Sequence, residues 1–491
     1  MKKQLIIGFS AIVIFGALSC KKSYFDLPNP NSATNASPEL VLSQALTASA
    51  SSQNVGFNFL GAWLGYLGQS GSYATGAGDI ASYKQTTNFG DGAWVGFYHN
   101  LADYDYIEKS AATDKKYFYV AAAKIMKAFV LQQLVDGFNN VPYSEAFLGT
   151  STITPKYDAG QDIYNAVTLQ IDTAIILMQR LDATGSAKSD VVFGGDNGKW
   201  IQFANTLKLR ILIRQTQVAA NAAFIQAELL KITANGSGFL TTDAGANPPY
   251  ANSAGQQNPT WGFYVTVAGL PTSGGGADFW KGSAYAINWL TNHNDARLAA
   301  IYAPGSDGKF NGSVLGAVSN PPGSLGASIG PGILKSSNQS AILISAAESY
   351  FLQSEANLRG WLPGSALSNF NSGVQASFSF LGAGSSAGYI AQNDKMTNYG
   401  ICTTFNEQLA CIIRQKWISM DNITPVEAWG DYRRLKLPAD IPLSISSYLD
   451  VSPAAVPIRI LYPTTEYQTN VVNVNDQGTI NYHTSPVFWN Q

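Results

Sequence analysis

Three short stretches set aromatic rings among glycines, hydroxyls and neutral amides. "SGSYATGAGDIASYKQTTN" carries Tyr73 and Tyr83, "QQNPTWGFYV" carries Trp261 and Tyr264, and "GGGADFWKGS" carries Trp280. A flat ring stacks on the apolar C–H side of a pyranose, while amides and hydroxyls beside it match the sugar hydroxyls. These five residues are the candidate ligand-binding residues, and the chemistry they suit is recognition of an oligosaccharide. Each also has a structural reading, because an aromatic ring in a glycine-rich loop often pins that loop to the core. Trp63 and Trp94 fall in that second class, since "GDGAWVGFYHNLADYDYIEK" around Trp94 reads as the start of a scaffold helix.

Patterns for catalysis are weak by comparison. The three histidines, His99, His293 and His483, lie far apart, and none stands in an H-E-x-x-H or C-x-x-C context. There is no P-loop and no G-x-G-x-x-G. The G-x-S-x-G pattern occurs as "GASIG" from Gly326 and "GSSAG" from Gly384, without the strand before and helix after that a nucleophile elbow needs. Asp190, Asp196 and Asn197 do not have the spacing of a calcium loop. No catalytic residue, metal or cofactor is therefore assigned. A secreted glycoside hydrolase stays as an alternative, because its two carboxylates are set by separation in space and not by sequence spacing.

The composition points the same way. Charged residues make up 13% of 491 residues and the formal net charge is −2, against about 25% charged in ordinary soluble proteins. Nothing resembles the basic footprint of a nucleic-acid-binding protein. Lys2 and Lys3 precede an uncharged apolar run, Leu5 to Leu18, which has the form of an export signal and falls short of the roughly 20 residues of a membrane span. No later segment is expected to reach a spanning length. Ala17-Leu18-Ser19-Cys20 resembles the lipobox of bacterial lipoproteins, in which the cysteine becomes the lipidated first residue. Residues 1–19 then form a lipoprotein signal peptide, Cys20 carries the lipid, and residues 20–36 form a Pro/Asn-rich tether. Cys402 and Cys411 remain, the latter as a small core residue of a helix, and a disulfide between them stays open.

Helical rhythm dominates the remainder. "SPELVLSQALTASA" has a start signal in Ser37, Pro38 and Glu39. "KKYFYVAAAKIMKAFVLQQLVDGF", "GQDIYNAVTLQIDTAIILMQRL" and "KWIQFANTLKLRILIRQT" repeat apolar residues with a period near 3.6 and carry alanines on the apolar side. "AILISAAESYFLQSEANLRGW", "SALSNFNSGVQASFSFLG" and "TFNEQLACIIRQKWISM" are read as further helices, the first stopped by Gly360. Pairs joined by short Gly/Pro turns suggest a degenerate tetratricopeptide-like repeat. Residues 236–331 are too rich in Gly, Pro, Ser and Asn for regular elements, yet too aromatic for disorder, so a folded loop-rich insertion is expected. Trp200, Phe203 and Leu207 are expected in the core, with Asn205 and Arg210 satisfying buried backbone or pairing with a carboxylate such as Asp196. "EAWGDYRR", with Glu427, Asp431, Arg433 and Arg434, reads as a structural ion-pair cluster.

Seven segments, in order, resemble the SusD/RagB family of Bacteroidota surface lipoproteins, in particular its second, SusD-like branch. They are "VDGFNNVPYSEAF", "PKYDAGQDIYNAV", "GGDNGKWIQFANTLKLRILIR", "NHNDARL", "AAESYFLQSEANLRGW", "RQKWISMDNITPVEAWGDYRR" and "PIRILYPTTEY". The resemblance implies a mainly α, single domain over 37–491, built on tetratricopeptide-like helix pairs with long irregular loops. It also implies lipid anchoring to the outer membrane, facing the exterior, as a lid on a TonB-dependent SusC-like transporter that takes up oligosaccharide. A peptide-binding, RagB-like role is the alternative within the family, and chemistry is left to other proteins. The family's ligand residues vary, so the five aromatic candidates rest on residue type and loop placement alone.

Overall fold

The computed structural model of the chain describes residues 36–73, 78–445 and 455–490. The export signal, Cys20 and the tether up to residue 35 lie outside the described residues.

The apolar stripes seen in the sequence become a row of packed helices. α1 (Pro38–Ser51) starts with Pro38 in its first turn and Glu39 near the positive end of its dipole, although the Ser37 hydroxyl makes no capping bond. It lies against α2 (Asp91–Thr113), α2 against α3 (Tyr117–Phe138), α3 against α4 (Gly160–Met178), and α4 against α5 (Asn197–Arg214). α6 (Ala222–Asn235), which the sequence reading passed over, presents Ile225, Leu229 and Ile232 to α5. The row continues with α7 (Ala346–Leu358), which packs on α5, α8 (Ala366–Leu381) and α9 (Phe405–Ser419), and ends in α10 (Pro425–Leu435). This is the tetratricopeptide-like succession of helix pairs expected from the sequence.

α3 corrects one expectation. Its 22 residues are long and apolar enough to cross a bilayer, but 94% of that apolar window is buried inside the protein. Helices pack on it from several sides, so it is apolar all round because it is the central helix of the row.

Capping places the helix starts. Asp196 accepts from the Lys199 amide, Ser345 from Glu348 and Ser365 from Ser368, while Thr404 and Glu407 form a reciprocal capping box. Ser345 explains a second correction, because the helix expected from Ala341 begins only at Ala346. The preceding "AILI" is β8 (Ala341–Ile344), paired antiparallel with β4 (Ala244–Ala246). Amides of Gln53 and Asn54 donate to the carbonyls of Leu343 and Ile342 at 2.6 and 2.7 Å, fixing the strand from the far side.

The loop-rich stretch also holds more regular structure than expected. β5 (Trp280–Gly282) pairs with β1 (Leu67–Gln69), β6 (Tyr302–Ala303) with β7 (Ser328–Ile329), and short helices cover Pro259–Tyr264 and Ala284–Asn292. β2 (Val141–Pro142) and β3 (Tyr157–Asp158) make a further small pair beside α3 and α4. Within "NHNDARL", Asp295 holds the fully buried Arg297, which also donates to Ser377 of α8 and Gln415 of α9. That side chain ties the loop block to the helical row.

Behind the apolar contacts lies a network of buried charges. Arg210 forms a two-pronged pair with Glu348 at 2.7 and 2.9 Å, not with Asp196, whose carboxylate caps α5. Asn205 pairs with Asn235 and the Gly238 carbonyl. The expected "EAWGDYRR" cluster is present: Glu427 meets Arg214, Asp431 meets Lys416 and Arg434, and Arg434 also reaches Glu355. Arg433 lies over the rings of Trp429 and Trp489. A Cβ on Gly430 would come within 2.1 Å of an Arg214 nitrogen, so only glycine lets α10 approach that guanidinium. Cys402 and Cys411 are buried free thiols.

Candidate functional site

Residues 69–73, the helix Pro259–Tyr264 and the stretch 270–283 come together in one block through backbone bonds. Ser70 donates to the Phe279 carbonyl at 2.8 Å, Thr272 to that of Tyr264 at 3.0 Å, and Val265 bridges to Pro271. Asn258 caps the short helix by accepting from the Trp261 amide at 2.9 Å, and its own amide reaches the Gln339 carbonyl at 3.0 Å. Gly276 makes the fit possible, since a Cβ there would stand 2.1 Å from Thr272 Oγ1 and 2.3 Å from the Phe263 carbonyl.

Four of the five aromatic candidates belong to this block, and they divide by exposure. Tyr73 is half-buried, its ring edge-on to Phe279 at 5.1 Å and its hydroxyl donating to Asp278. That hydrogen bond, followed by desolvation, raises the pKa of Tyr73. Trp261 is also half-buried, with its indole Nε1 turned inward and without a hydrogen-bond partner. Tyr264 and Trp280 are buried, packed edge-to-face on Phe263 and Phe279 at 4.9 and 4.8 Å. Tyr83 lies apart from the block, fully buried against Trp63, and its hydroxyl accepts from the Ser444 amide at 2.7 Å. Burial pushes its pKa up to about 12. Rings without an open face cannot stack on a sugar, so Tyr83, Tyr264 and Trp280 act here as the packing residues of the structural reading. Trp63 and Trp94 are buried as expected.

The block contains residues that the sequence reading did not single out. Phe263 and Phe279 are half-buried beside Tyr73 and Trp261, and Leu270 projects 64% exposed from the turn at 266–270. Phe263 and Phe279 stand in the same quoted stretches, where nothing local tells them apart from their buried neighbours, and Leu270 lies between those stretches. Electrostatically the block is nearly neutral. Desolvation opposes the Asp278 charge, but the Tyr73 hydroxyl and the amides of Gly274 and Gly275 more than offset it and hold the carboxyl below its ordinary range. Lys281 donates to the Ala277 carbonyl and is lowered by burial. A carboxylate so engaged is a loop organiser, and the arrangement suits binding of a neutral ligand.

Other sequence candidates resolve into structural roles. Asp190 accepts from three backbone amides and from Trp200 Nε1, and Asn197 donates to the carbonyls of Met178 and Ala183. Ser386 of "GSSAG" donates to Gln375 at 2.9 Å, and Ser328 of "GASIG" lies within β7. His293 stacks on Trp289 at 3.9 Å and meets Asp394 at 3.2 Å. Among the described residues no group of three or more His, Cys, Asp or Glu is placed to hold a metal ion.

A SusD-like family model, described as starch-binding and associating with the outer membrane, matches residues 30–463. No curated protein matches. Among solved structures, a SusD homologue from Bacteroides uniformis is 24% identical with a TM-score of 0.77, covering 92% of this chain and 99% of its own. A chitin-binding SusD homologue from Flavobacterium johnsoniae is 24% identical with a TM-score of 0.76, covering 92% and 97%. A further chitin-binding protein is 26% identical with a TM-score of 0.74, covering 92% and 99%.

Proposed function

Because the chain belongs to the SusD-like family of starch-binding proteins that associate with the outer membrane, we propose that it is a cell-surface lipoprotein. In this reading it binds a neutral oligosaccharide and passes it to a TonB-dependent SusC-like transporter. The observation that carries the ligand class is the loop block itself: half-buried Tyr73, Trp261, Phe263 and Phe279 in a setting whose one carboxylate, Asp278, is already engaged by Tyr73 and two glycine amides. The chitin-binding descriptions of two relatives support the same class.

Tyr73 and Trp261 are the proposed stacking residues, and the buried Tyr264 and Trp280 hold the platform beneath them. The protein binds without turnover, since no carboxylate of the block is free to act as acid or base. Cys20 is the proposed lipid attachment, with residues 21–36 as the tether from the outer leaflet; Cys20→Ser is expected to move the protein from the membrane to the soluble fraction. Titration calorimetry with chitohexaose and maltohexaose tests the ligand. Binding of at least one of them without release of reducing sugar is expected. The double variant Tyr73→Ala/Trp261→Ala is expected to weaken it by roughly 10- to 30-fold, from about 1 kcal/mol per stacked ring. Full affinity in that variant refutes the site, sugar release refutes the binding-only reading, and binding of peptides in place of sugars moves the chain to the RagB-like alternative.

A further inference from the structure

A second concave surface lies where the β4/β8 pair meets the helical row; its wall at Lys335 to Ser340 borders the Tyr73 block, since Asn258 donates to the carbonyls of Ser337 and Gln339. It encloses about 1100 Å³ and is bounded by Gly245 and Ile342 of the strands, Tyr350 of α7, Asn371 to Phe380 of α8, and Lys335 to Ser340. Binding pockets for small ligands commonly occupy about 300–1000 Å³, so this groove has room for several sugar rings.

Its polar groups differ from those of the loop block in being open to the concavity. In that block the Tyr73 hydroxyl, the Asp278 carboxylate and the Thr272 hydroxyl are engaged with one another or with backbone, and the unpartnered Trp261 Nε1 and Tyr264 hydroxyl are buried away from any opening. In the groove, Gln339 and Gln375 are likewise engaged: Gln339 accepts from Lys335 and Ser336 and donates to Ile333, and Gln375 accepts from Ser386 and donates to Ser379. These two amides fix the walls. Thr241, Thr242, Ser340, Asn371, Ser372 and the Tyr350 hydroxyl, in contrast, have no side-chain hydrogen bond within the described residues, and all of them face the same concavity.

The charges at the rim balance. Lys335 Nζ sits 3.6 Å from the centre of the Phe380 ring, covering that aromatic face, and Asp243 is held by the Ala346 amide at 2.8 Å. One ammonium and one carboxyl leave no net charge to attract an ion. Tyr350, half-buried on α7, is then the ring left for stacking.

We propose that this groove is a second binding site, for a short linear neutral oligosaccharide that stacks on Tyr350 and offers its hydroxyls to Asn371, Ser372, Ser340, Thr241 and Thr242. The ligand class rests on the proposed function; the existence of a second site does not. Such a site would let the protein hold one chain at two points or two chains at once, which raises local ligand concentration without tightening either site.

Titration of the full-length chain with chitohexaose and maltohexaose, alongside binding to a library of short peptides, tests it. The expected result is two sites for the hexamer that binds. Tyr350→Ala/Asn371→Ala removes or weakens one of them by about tenfold or more and leaves the other unchanged, while Tyr73→Ala/Trp261→Ala does the reverse. Tyr350→Phe keeps the ring and is expected within about threefold of wild type. Ser372→Trp, which fills the groove from a half-buried position on α8, gives the same loss by an independent route should the double variant fold poorly. A single site abolished by the Tyr73/Trp261 change, or two sites both unaffected by Ser372→Trp, overturns the proposal while leaving the proposed function intact. Peptides displaced by Ser372→Trp overturn its ligand class. Absence of binding to either sugar overturns both readings.

Discussion

Arg214→Met is the sharpest test of how this fold is held together. The guanidinium is 2% exposed and is paired with Asp136 at 3.1 Å, with Glu427, and with Asp431 at 3.7 Å. Glu427 keeps Arg210, and Asp431 keeps Lys416 and Arg434. Asp136 is left with only neutral side-chain donors: Tyr164, Trp489 and Gln132. Removing one partner of a buried ion pair typically costs about 3–5 kcal/mol, and the surviving cations place this case near the lower end. Unfolding entropy of about 2.1 cal/mol/K per residue over 491 residues is roughly 1 kcal/mol/K, so the expected fall in melting temperature is about 3–4 °C. Differential scanning calorimetry measures it, with Arg180→Met as the control. Arg180 pairs with Asp182 in solvent, at 44% and 58% side-chain exposure, and its loss is expected to shift the midpoint by less than about 1 °C.

The pH dependence of the same variant separates charge from packing. Desolvation opposes ionisation of Glu427 and Asp431, but the surrounding arginines and lysine outweigh it and hold both pKa values below the ordinary range. Groups depressed in this way contribute stability above their unfolded pKa, about 4, and lose it as the pH falls through the folded values. Arg214 supplies part of that depression, so the gap between wild type and Arg214→Met is expected to be widest near pH 7 and to narrow below pH about 4. A gap that is the same at both pH values, or a midpoint within 1 °C of wild type at pH 7, would refute the electrostatic account.

Burial raises the Asp421 carboxyl to about 8 despite hydrogen bonds from Tyr302 and Asn422. Its contribution is therefore fully present below its unfolded pKa, about 4, and lost as the pH rises through 8. Asp421→Asn is expected to gain on wild type steadily from pH 5 to pH 8 in thermal melts, by up to a few kcal/mol, and a flat difference across that range would sink the assignment. Gly276→Ala forces a Cβ into Thr272 and the Phe263 carbonyl; overpacking of about 1–3 kcal/mol is expected to loosen the Tyr73 block and weaken sugar binding there, read by calorimetry, while the groove at Tyr350 is untouched. Since ligand and site are both neutral, raising NaCl from about 50 to 500 mM is expected to change glycan affinity less than about twofold, and a tenfold loss would point to an ionic ligand.

The helical row was legible because its signal is local. Ile163, Val167, Ile171 and Ala174 of α4, or Trp200, Phe203, Leu207 and Ile211 of α5, mark their own buried side without reference to any other segment. α6 is legible by the same rule, with Ile225, Leu229 and Ile232 correctly spaced. "AILI" was not legible, since four apolar residues fit helix and strand equally until β4, about a hundred residues earlier, offers a partner. The same limit applies to the ligand candidates. Tyr83 is buried by Trp63 and bound by Ser444, and Trp280 is set in register by Gln69, so what separates them from Tyr73 and Trp261 is contact with distant segments and not residue type. The groove was invisible for that reason too, because pairing of β4 with β8 is what sets Thr241 and Ser340 opposite Asn371.

Where the charges went explains why so sparsely charged a chain can be read as a sugar-binding one. Of a small supply, 30 basic and 32 acidic residues, the fold buries Arg210, Arg214, Arg297, Arg433, Arg434 and Lys416 with Asp136, Asp295, Glu348, Glu355, Glu427 and Asp431. The interior ion pairs link α5 to α3 and α7, and α10 to α7 and α9. Those six basic and six acidic residues cancel, and the charges that remain outside are near balance, with a formal net charge of −2 for the chain, among hydroxyls, amides and aromatic edges. A surface of that kind cannot attract a ligand over distance, because long-range steering needs net charge. Recognition must come from contact, and contact with a polyhydroxylated chain asks for a flat ring beside neutral hydrogen-bonding groups. In the proposed reading Tyr73 in the loop block and Tyr350 in the groove supply the rings, and the buried Arg210–Glu348 pair holds α7, which carries Tyr350, against α5.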